Sequence, residues 1–341
     1  IWDSLVANDF WKPKIKSSTL VVAFGGQKGG LGKSTSCVNI SMAVAYDAMP
    51  EKAFTCIIDM DPQGNTSKQV LHKDEQALDR TSTYSTALNL MTRYMQGEDI
   101  GINDILPILK RTKMANTFLI PSHELFDTES ISKLVGLYKE ACNLSEAELR
   151  EKGGKGYFGI HGKYSYSFYM VFHFAVIKPL KEHFDYVFID SPPQMSEVTK
   201  MIFLASTHII SPLSPSEYEI NTAKTLLLDL DAAFDQNYEA IESGVLPKKE
   251  VKFLLINRQA SRQLSSNISD KLSRHLNDNM LLKPDFEANA AVEKCSSIRE
   301  TAVTVNRKYY KDIIGRNSSD DLKRLTDNLT NIAVKIRNFI I

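Results

Sequence analysis

Nine residues constrain this chain more than any others: Gln27-Lys28-Gly29-Gly30-Leu31-Gly32-Lys33-Ser34-Thr35. They follow an apolar run, Leu20 to Phe24, and precede a stretch of helical pattern, Cys37 to Ala48. Strand, glycine-rich turn and helix, in that order, is the setting a phosphate-binding loop needs. Gly29, Gly30 and Gly32 let the backbone come close to phosphate oxygens. The amides of Gly30 to Ser34, with Leu31 between them, can then point at one anion at the positive end of a helix. In such a loop Lys33 reaches the β- and γ-phosphates, the Ser34 hydroxyl binds Mg²⁺, and Thr35 adds a second hydroxyl at the helix start.

Two further apolar runs end in carboxylates. Phe54 to Asp59 reads as a strand and runs into Asp59-Met60-Asp61-Pro62-Gln63-Gly64-Asn65. Tyr186 to Asp190 reads as a buried parallel strand, followed by Ser191-Pro192-Pro193. Carboxylates at the C-terminal ends of parallel strands lie beside the phosphate loop of an open α/β sheet. Phe118 to Glu124 reads as a short strand leaving into a loop, and further strands are expected at Thr207 to Leu213 and Val251 to Asn257. Helices are expected at Tyr218 to Leu230, Gln263 to Leu276 and Leu322 to Ile340. The alternation predicts an α/β fold, a mostly parallel twisted sheet with helices on both faces. The simplest partition is an N-terminal arm over 1–19 and one domain over 20–341, with an insertion near 139–170. The insertion is rich in glycine, lysine and aromatics between Lys152 and Tyr164. That mixture reads as a surface loop or hairpin, or as a surface that stacks on nucleic acid.

The formal net charge is zero, so no global field draws the protein to nucleic acid, and any such binding must use a local patch. Residues 251–341 carry 16 lysines and arginines against 10 acidic residues, a local excess of six positive charges. Four scattered cysteines, Cys37, Cys56, Cys142 and Cys295, form no C-x-x-C pair and indicate neither zinc nor a disulfide framework. No apolar stretch approaches the roughly 18–20 residues of a membrane span, and no secretory signal is visible. A cytoplasmic protein with no membrane partner is expected.

The plain phosphate-loop pattern is G-x-x-x-x-G-K-[ST]. Here Gln27 replaces its first glycine and Lys28 adds a second lysine. The resulting QKGGxGKST resembles the deviant Walker A box of the ParA/MinD family of ATPases. The DxDPQGN segment resembles that family's Walker A′ motif, and Asp190 with Ser-Pro-Pro resembles its Walker B segment and exit turn.

The resemblance implies ATP and Mg²⁺ as cofactors and slow ATP hydrolysis. It assigns catalytic roles to Lys33, to Asp61 as the residue that positions the attacking water, and to Lys28, which reaches across a dimer interface to the partner's nucleotide. Asp59 and Asp190 would join Ser34 around Mg²⁺, and Asn257 would touch adenine. The implied function is that of a ParA-type partition ATPase for plasmid or chromosome DNA. Its ATP-bound homodimer would bind DNA without sequence preference and associate with the nucleoid. A centromere-binding ParB-type partner would release it by stimulating hydrolysis. Arg258, Arg262, Lys271, Arg274, Lys294 and Arg299 are the DNA-contact candidates, with Arg307 and Lys308 beyond them. A MinD-like membrane-positioning ATPase is the alternative, with the last helix as its lipid-seeking tail. A nitrogenase-type iron protein needs cluster-ligating cysteines that the spacing of these four does not offer.

Overall fold

The computed structural model describes residues 18–26, 32–72, 86–122, 132–137, 168–216, 218–257, 270–276, 278–314 and 319–340. The chain opens with β1 (Leu20–Phe24), α1 (Lys33–Ala48), β2 (Thr55–Asp59), α2 (Asn65–Val70) and α3 (Ala87–Met95). Next come β3 (Lys110–Arg111), β4 (Thr117–Ile120), β5 (Tyr186–Asp190), α4 (Glu197–Ala205), β6 (His208–Leu213) and α5 (Tyr218–Asp235). The last elements are β7 (Glu250–Asn257), β8 (Phe286–Glu287), α6 (Ala290–Ser297), α7 (Arg307–Ile314) and α8 (Ser319–Arg337).

The strands form one sheet in the order β3-β4-β2-β5-β1-β6-β7-β8. Every pairing is parallel except that of β3 with β4. This is the expected architecture. Strand β1 lies between β5 and β6, with Phe24 opposite Asp190. Strand β2 pairs with β5 so that Asp59 also faces Asp190. A parallel strand covered on both faces alternates its side chains between two cores and therefore reads as an unbroken apolar run. Leu20, Val22 and Phe24 enter one core, with α1, α6 and α8. Val21 and Ala23 enter the other, with α3, α4, α5 and the helical stretch 168–180.

The stripe of α8 packs inward: Leu322, Leu325, Leu329, Ile332 and Ile336 are all buried. Arg337 fastens its end, donating to the Asp47 and Glu51 carboxylates and to the Asp47 carbonyl. No described helix is long and apolar enough to cross a membrane.

Some boundaries differ from expectation. Helix α1 begins at Lys33 rather than Cys37, because Gly32 caps it in the left-handed region at φ 80°. Helix α5 runs on past Leu230 to Asp235. The fourth strand ends at Ile120, a short strand as expected, and His123 and Glu124 lie outside the described residues. So do the arm up to residue 17, nearly all of the expected insertion, and the first part of the Gln263 to Leu276 helix. Phe168–Met170, at the end of the expected insertion, form a helical turn with Met170 buried.

That turn leads into a π-helical segment, His173–Ile177. His173 is 5% exposed, and its Nδ1 has no hydrogen-bond partner among the described residues. Burial pushes its pKa down from 6.5 to about 3, helped by the charges of Lys181, Lys249 and Lys178. Below pH 6.5 the unfolded chain takes up a proton that the folded chain refuses, so stability is lost as the pH falls from there toward 3. His173→Phe removes that penalty. Between pH 7 and pH 5 its stability relative to wild type should rise by about 1–2 kcal/mol in urea unfolding. Parallel pH dependences for the two proteins would refute this reading of His173.

Candidate nucleotide site

The site forms at the C-terminal edge of β1, β2 and β5. Strand β1 leaves the sheet through Gly25, whose amide donates to the Ile210 carbonyl at 3.1 Å. A Cβ at Gly25 would stand 2.2 Å from the Phe203 ring, so only glycine fits. At the head of α1 the Ser36 amide donates to the Gly32 carbonyl at 2.7 Å to close the first turn. Lys33, Ser34 and Thr35 therefore stand together at the helix start. Lys33 is buried. Its Nζ donates to the Ser191 carbonyl at 2.7 Å and lies 3.9 Å from Asp190 Oδ1.

Strand register brings Asp59 and Asp190 side by side, both buried. Asp59 Oδ2 accepts from the Ser67 amide at 2.7 Å and the Ser67 hydroxyl at 2.6 Å. Its Oδ1 accepts from the Asp61 amide at 3.1 Å. Asp190 Oδ2 accepts from the Thr66 hydroxyl at 2.7 Å. Asp190 Oδ1 is buried and makes no hydrogen bond among the described residues. Burial, and then the facing charge of Asp190, push the Asp59 carboxyl well above the ordinary carboxylate range. Burial also raises Asp190, against the pull of Lys33 and the hydroxyls of Ser34 and Thr66.

Asp61 completes the group. The DPQGN segment is a tight turn: the Gly64 amide donates to the Asp61 carbonyl at 2.9 Å, and Gly64 sits at φ 61° to start α2. Asp61 Oδ1 accepts from the Gln63 amide at 3.0 Å. Among the described residues, Lys33 stands against the facing carboxylates Asp59 and Asp190. Hard divalent cations take oxygen ligands, and Asp190 Oδ1, which makes no hydrogen bond among the described residues, offers one acceptor that fits Mg²⁺.

Of the residues singled out in the sequence, Gly32, Lys33, Ser34, Thr35, Asp59, Asp61 and Asp190 come together here. Lys28, Gly29, Gly30 and Leu31 lie outside the described residues, as do Arg258 and Arg262. Asn257 ends β7, two strands from β1, and its carbonyl accepts from the Ala288 amide at 3.0 Å. The basic candidates divide. Lys271 and Arg274 lie on the sheet face that carries α5, where Leu272 and Leu276 enter the core with Leu226. Lys294 is on α6 and Arg299 just beyond it, on the opposite face. Sequence reading missed Thr66 and Ser67. The available signal was a pair of hydroxyls in the first turn of a helix that follows a carboxylate-bearing strand.

Strand β1, helix α1 headed by Lys33 and Ser34, and aspartates closing two adjacent parallel strands, together with the sequence of residues 27–35, define a P-loop nucleoside triphosphatase. The chain belongs to the AAA domain family AAA_31, which it matches over residues 19–151 and 167–242, and within the P-loop class it is of the ParA type. Among relatives, the protein MJECL24 of Methanocaldococcus jannaschii is 26% identical over 246 residues, 71% of this chain and 74% of that protein. The chromosome-partitioning ATPase Soj of Treponema pallidum is 27% identical, over 66% of this chain and 65% of its own. Among solved structures, the ATP complex of a Cyanothece McdA carrying an Asp-to-Ala substitution superposes with a TM-score of 0.56. It is 16% identical and covers 93% of this chain and 97% of its own.

The hydroxyl of Thr66 can be tested apart from any ligand. Thr66→Val keeps the shape and strands Asp190 Oδ2, which should cost about 1–3 kcal/mol of stability in denaturant unfolding of the unliganded chain. Thr66→Ser should retain most of it. Equal stability of the valine variant and wild type would show that the hydrogen bond contributes nothing.

Proposed function

We propose that this protein is a partition ATPase whose Mg-ATP-bound homodimer binds DNA without sequence preference and lets go on hydrolysis. The observation that carries the reading is Asp190 beside Lys33 and facing Asp59, whose Oδ1 holds the Asp61 amide, with Asp190 Oδ1 making no hydrogen bond among the described residues. Membership of the ParA-type ATPases supports it, as does likeness to a chromosome-partitioning ATPase.

Phosphoryl transfer asks a protein for positioning and charge neutralisation more than for covalent chemistry. Lys33 neutralises the β- and γ-phosphate oxygens from its place at the head of α1. Bound Mg²⁺ would supply further charge neutralisation, held by Ser34 and, through water, by Asp59 and Asp190. Asp61 orients the attacking water; its carbonyl and one carboxylate oxygen are already tied into the DPQGN turn, which fixes its position. Asn257 contacts the adenine. Lys28 reaches the nucleotide of the second copy, so that ATP joins two subunits in an isologous pair. Loss of the γ-phosphate then loosens the dimer, and the bound state rather than the product is the output. A centromere-binding partner of the ParB kind would set the timing, in a nucleoid-associated cycle. Because the apolar stripe of α8 is spent inside the core, the partition reading is favoured over a membrane-seated one.

A DNA mobility shift with ATP, ADP or no nucleotide, over a salt series, tests this. The expected result is an ATP-specific shift that weakens with salt. Lys33→Ala should abolish it, and Asp61→Ala should leave a persistent DNA-bound dimer with ATP turnover reduced at least about 100-fold, the scale of a positioned acid–base group. Normal turnover in the Asp61 variant would remove that residue from its assigned role.

A further inference from the structure

Helix α2 carries the hydroxyls that hold Asp59 and Asp190, and a distant part of the chain grips it from the side. Gln69, half-buried on α2, donates from Nε2 to the Glu300 carbonyl at 2.9 Å. Its Oε1 lies 3.5 Å from the Ser296 hydroxyl. Glu300 is fixed in turn by its own carboxylate. Oε1 is 3.4 Å from Lys113 Nζ, and Oε2 accepts from the Thr304 hydroxyl at 2.7 Å. The backbone adds to the hold. Helix α6 ends in a turn where the Glu300 amide donates to the Cys295 carbonyl at 2.8 Å and the Arg299 amide to the Ser296 carbonyl at 2.9 Å. Such a turn puts one residue in the left-handed region, a place glycine usually takes. Here Arg299 takes it, at φ 54°. A side chain held there persists only where the surroundings over-determine the backbone. Val303 then packs against the apolar cluster that joins α1 to α2 through Val38, Met42, Val70 and Leu71.

We propose that Gln69 and Glu300 are positioning residues whose joint holds α2, and through it the Asp61 turn, in the geometry that ATP hydrolysis needs. This rests on the reading of Asp61 given above, since the joint bears on turnover only if Asp61 orients the water. The path is short. The Lys68 amide donates to the Gly64 carbonyl at 3.0 Å, so the turn and the helix move as one piece. Ser67, two residues before Gln69, holds Asp59, and Asp59 Oδ1 holds the Asp61 amide. Thr66 holds Asp190. On its outer side the joint belongs to a segment that starts at β8, which pairs with β7 at Asn257. The end of the site proposed to meet the base is thereby tied to the end proposed to meet the water. A displacement of about 1 Å far from the chemistry can cost about 100-fold in rate. A group that acts by such placement changes kcat and leaves ground-state affinity alone.

The test is steady-state ATP hydrolysis by the full chain in Mg²⁺, with Mg-ADP affinity and thermal unfolding measured beside it. Gln69→Ala and Glu300→Ala should each lower kcat about five- to tenfold, with KM and ADP affinity within about twofold of wild type. The double variant should be within about twofold of the worse single one, because both changes open the same joint. Glu300→Gln, which can still accept from Thr304, should retain most of the rate. Arg93→Ala, which breaks ion pairs with Glu98 and Asp104 on a helix of the other core, should leave kcat unchanged. In the unliganded chain, amide hydrogen exchange over residues 64–71 should quicken in Gln69→Ala. Normal kcat in both alanine variants, with Asp61→Ala impaired, overturns the joint and leaves the Asp61 reading standing. Normal turnover in Asp61→Ala overturns both. Parallel losses of kcat and of ADP affinity would show a brace for the fold alone and likewise overturn the proposal.

Discussion

Two carboxylates held in register on neighbouring strands set the terms for everything around them. Asp59 and Asp190 face each other at the ends of β2 and β5, buried, with like charges. Burial and mutual repulsion both oppose ionisation. A chain selected for stability alone would not keep such a pair. What holds it is a ring of donors: Ser67 and the Asp61 amide on Asp59, Thr66 and the nearby Lys33 on Asp190. A cation held between carboxylates and phosphates, as proposed, would relieve the repulsion and so stabilise the folded state by mass action. The repulsion within the pair and its affinity for a cation would then have the same electrostatic origin.

The donors come from one short helix, and that gives α2 a role its length does not suggest. Thr66 and Ser67 are adjacent, yet one reaches β5 and the other β2. The Ser67 hydroxyl also accepts from the Ser122 amide at 3.1 Å, beyond the end of β4. Asp61 sits in the turn that starts the same helix. A shift in either carboxylate is therefore felt in the turn that carries Asp61, the residue proposed to orient water. Three strand ends are linked through the hydroxyl groups of Thr66 and Ser67.

How much of this the sequence disclosed follows from range. Strands β1, β2 and β5 were legible because burial on both faces leaves unbroken apolar runs, and each run ends in a chemical signature. Strands β3 and β8 are two residues long, and two residues carry no period to read. The contact of Thr66 with Asp190 spans 124 residues, and nothing local in a threonine announces it. Apolar spacing showed α8 to be amphipathic without saying what its stripe met; the partner is α1, almost three hundred residues earlier in the chain. The basic excess over 251–341 was read along the chain and not in space. A charge count along the chain is blind to which side of a sheet each residue faces. The chain passes from one face to the other between Leu276 and Ala291, whose side chains enter different cores, so Lys271 and Lys294 part company.

That division bears on the proposed hold on a polyanion. With no net charge, attraction is confined to about one Debye length, roughly 8 Å at physiological salt, around each local patch. A single small patch offers few phosphate contacts, and a few contacts give weak binding that salt removes. Two copies of a patch held on one body change the arithmetic, because the second set of contacts forms at high effective concentration, and avidity can exceed either affinity by about 10²–10⁴. An isologous dimer, as proposed above, would present two copies of the same face. On that reading neutrality and dimer-dependence belong together: a strongly basic monomer would hold DNA in every nucleotide state, whereas a neutral one would hold it firmly only while ATP keeps two copies joined.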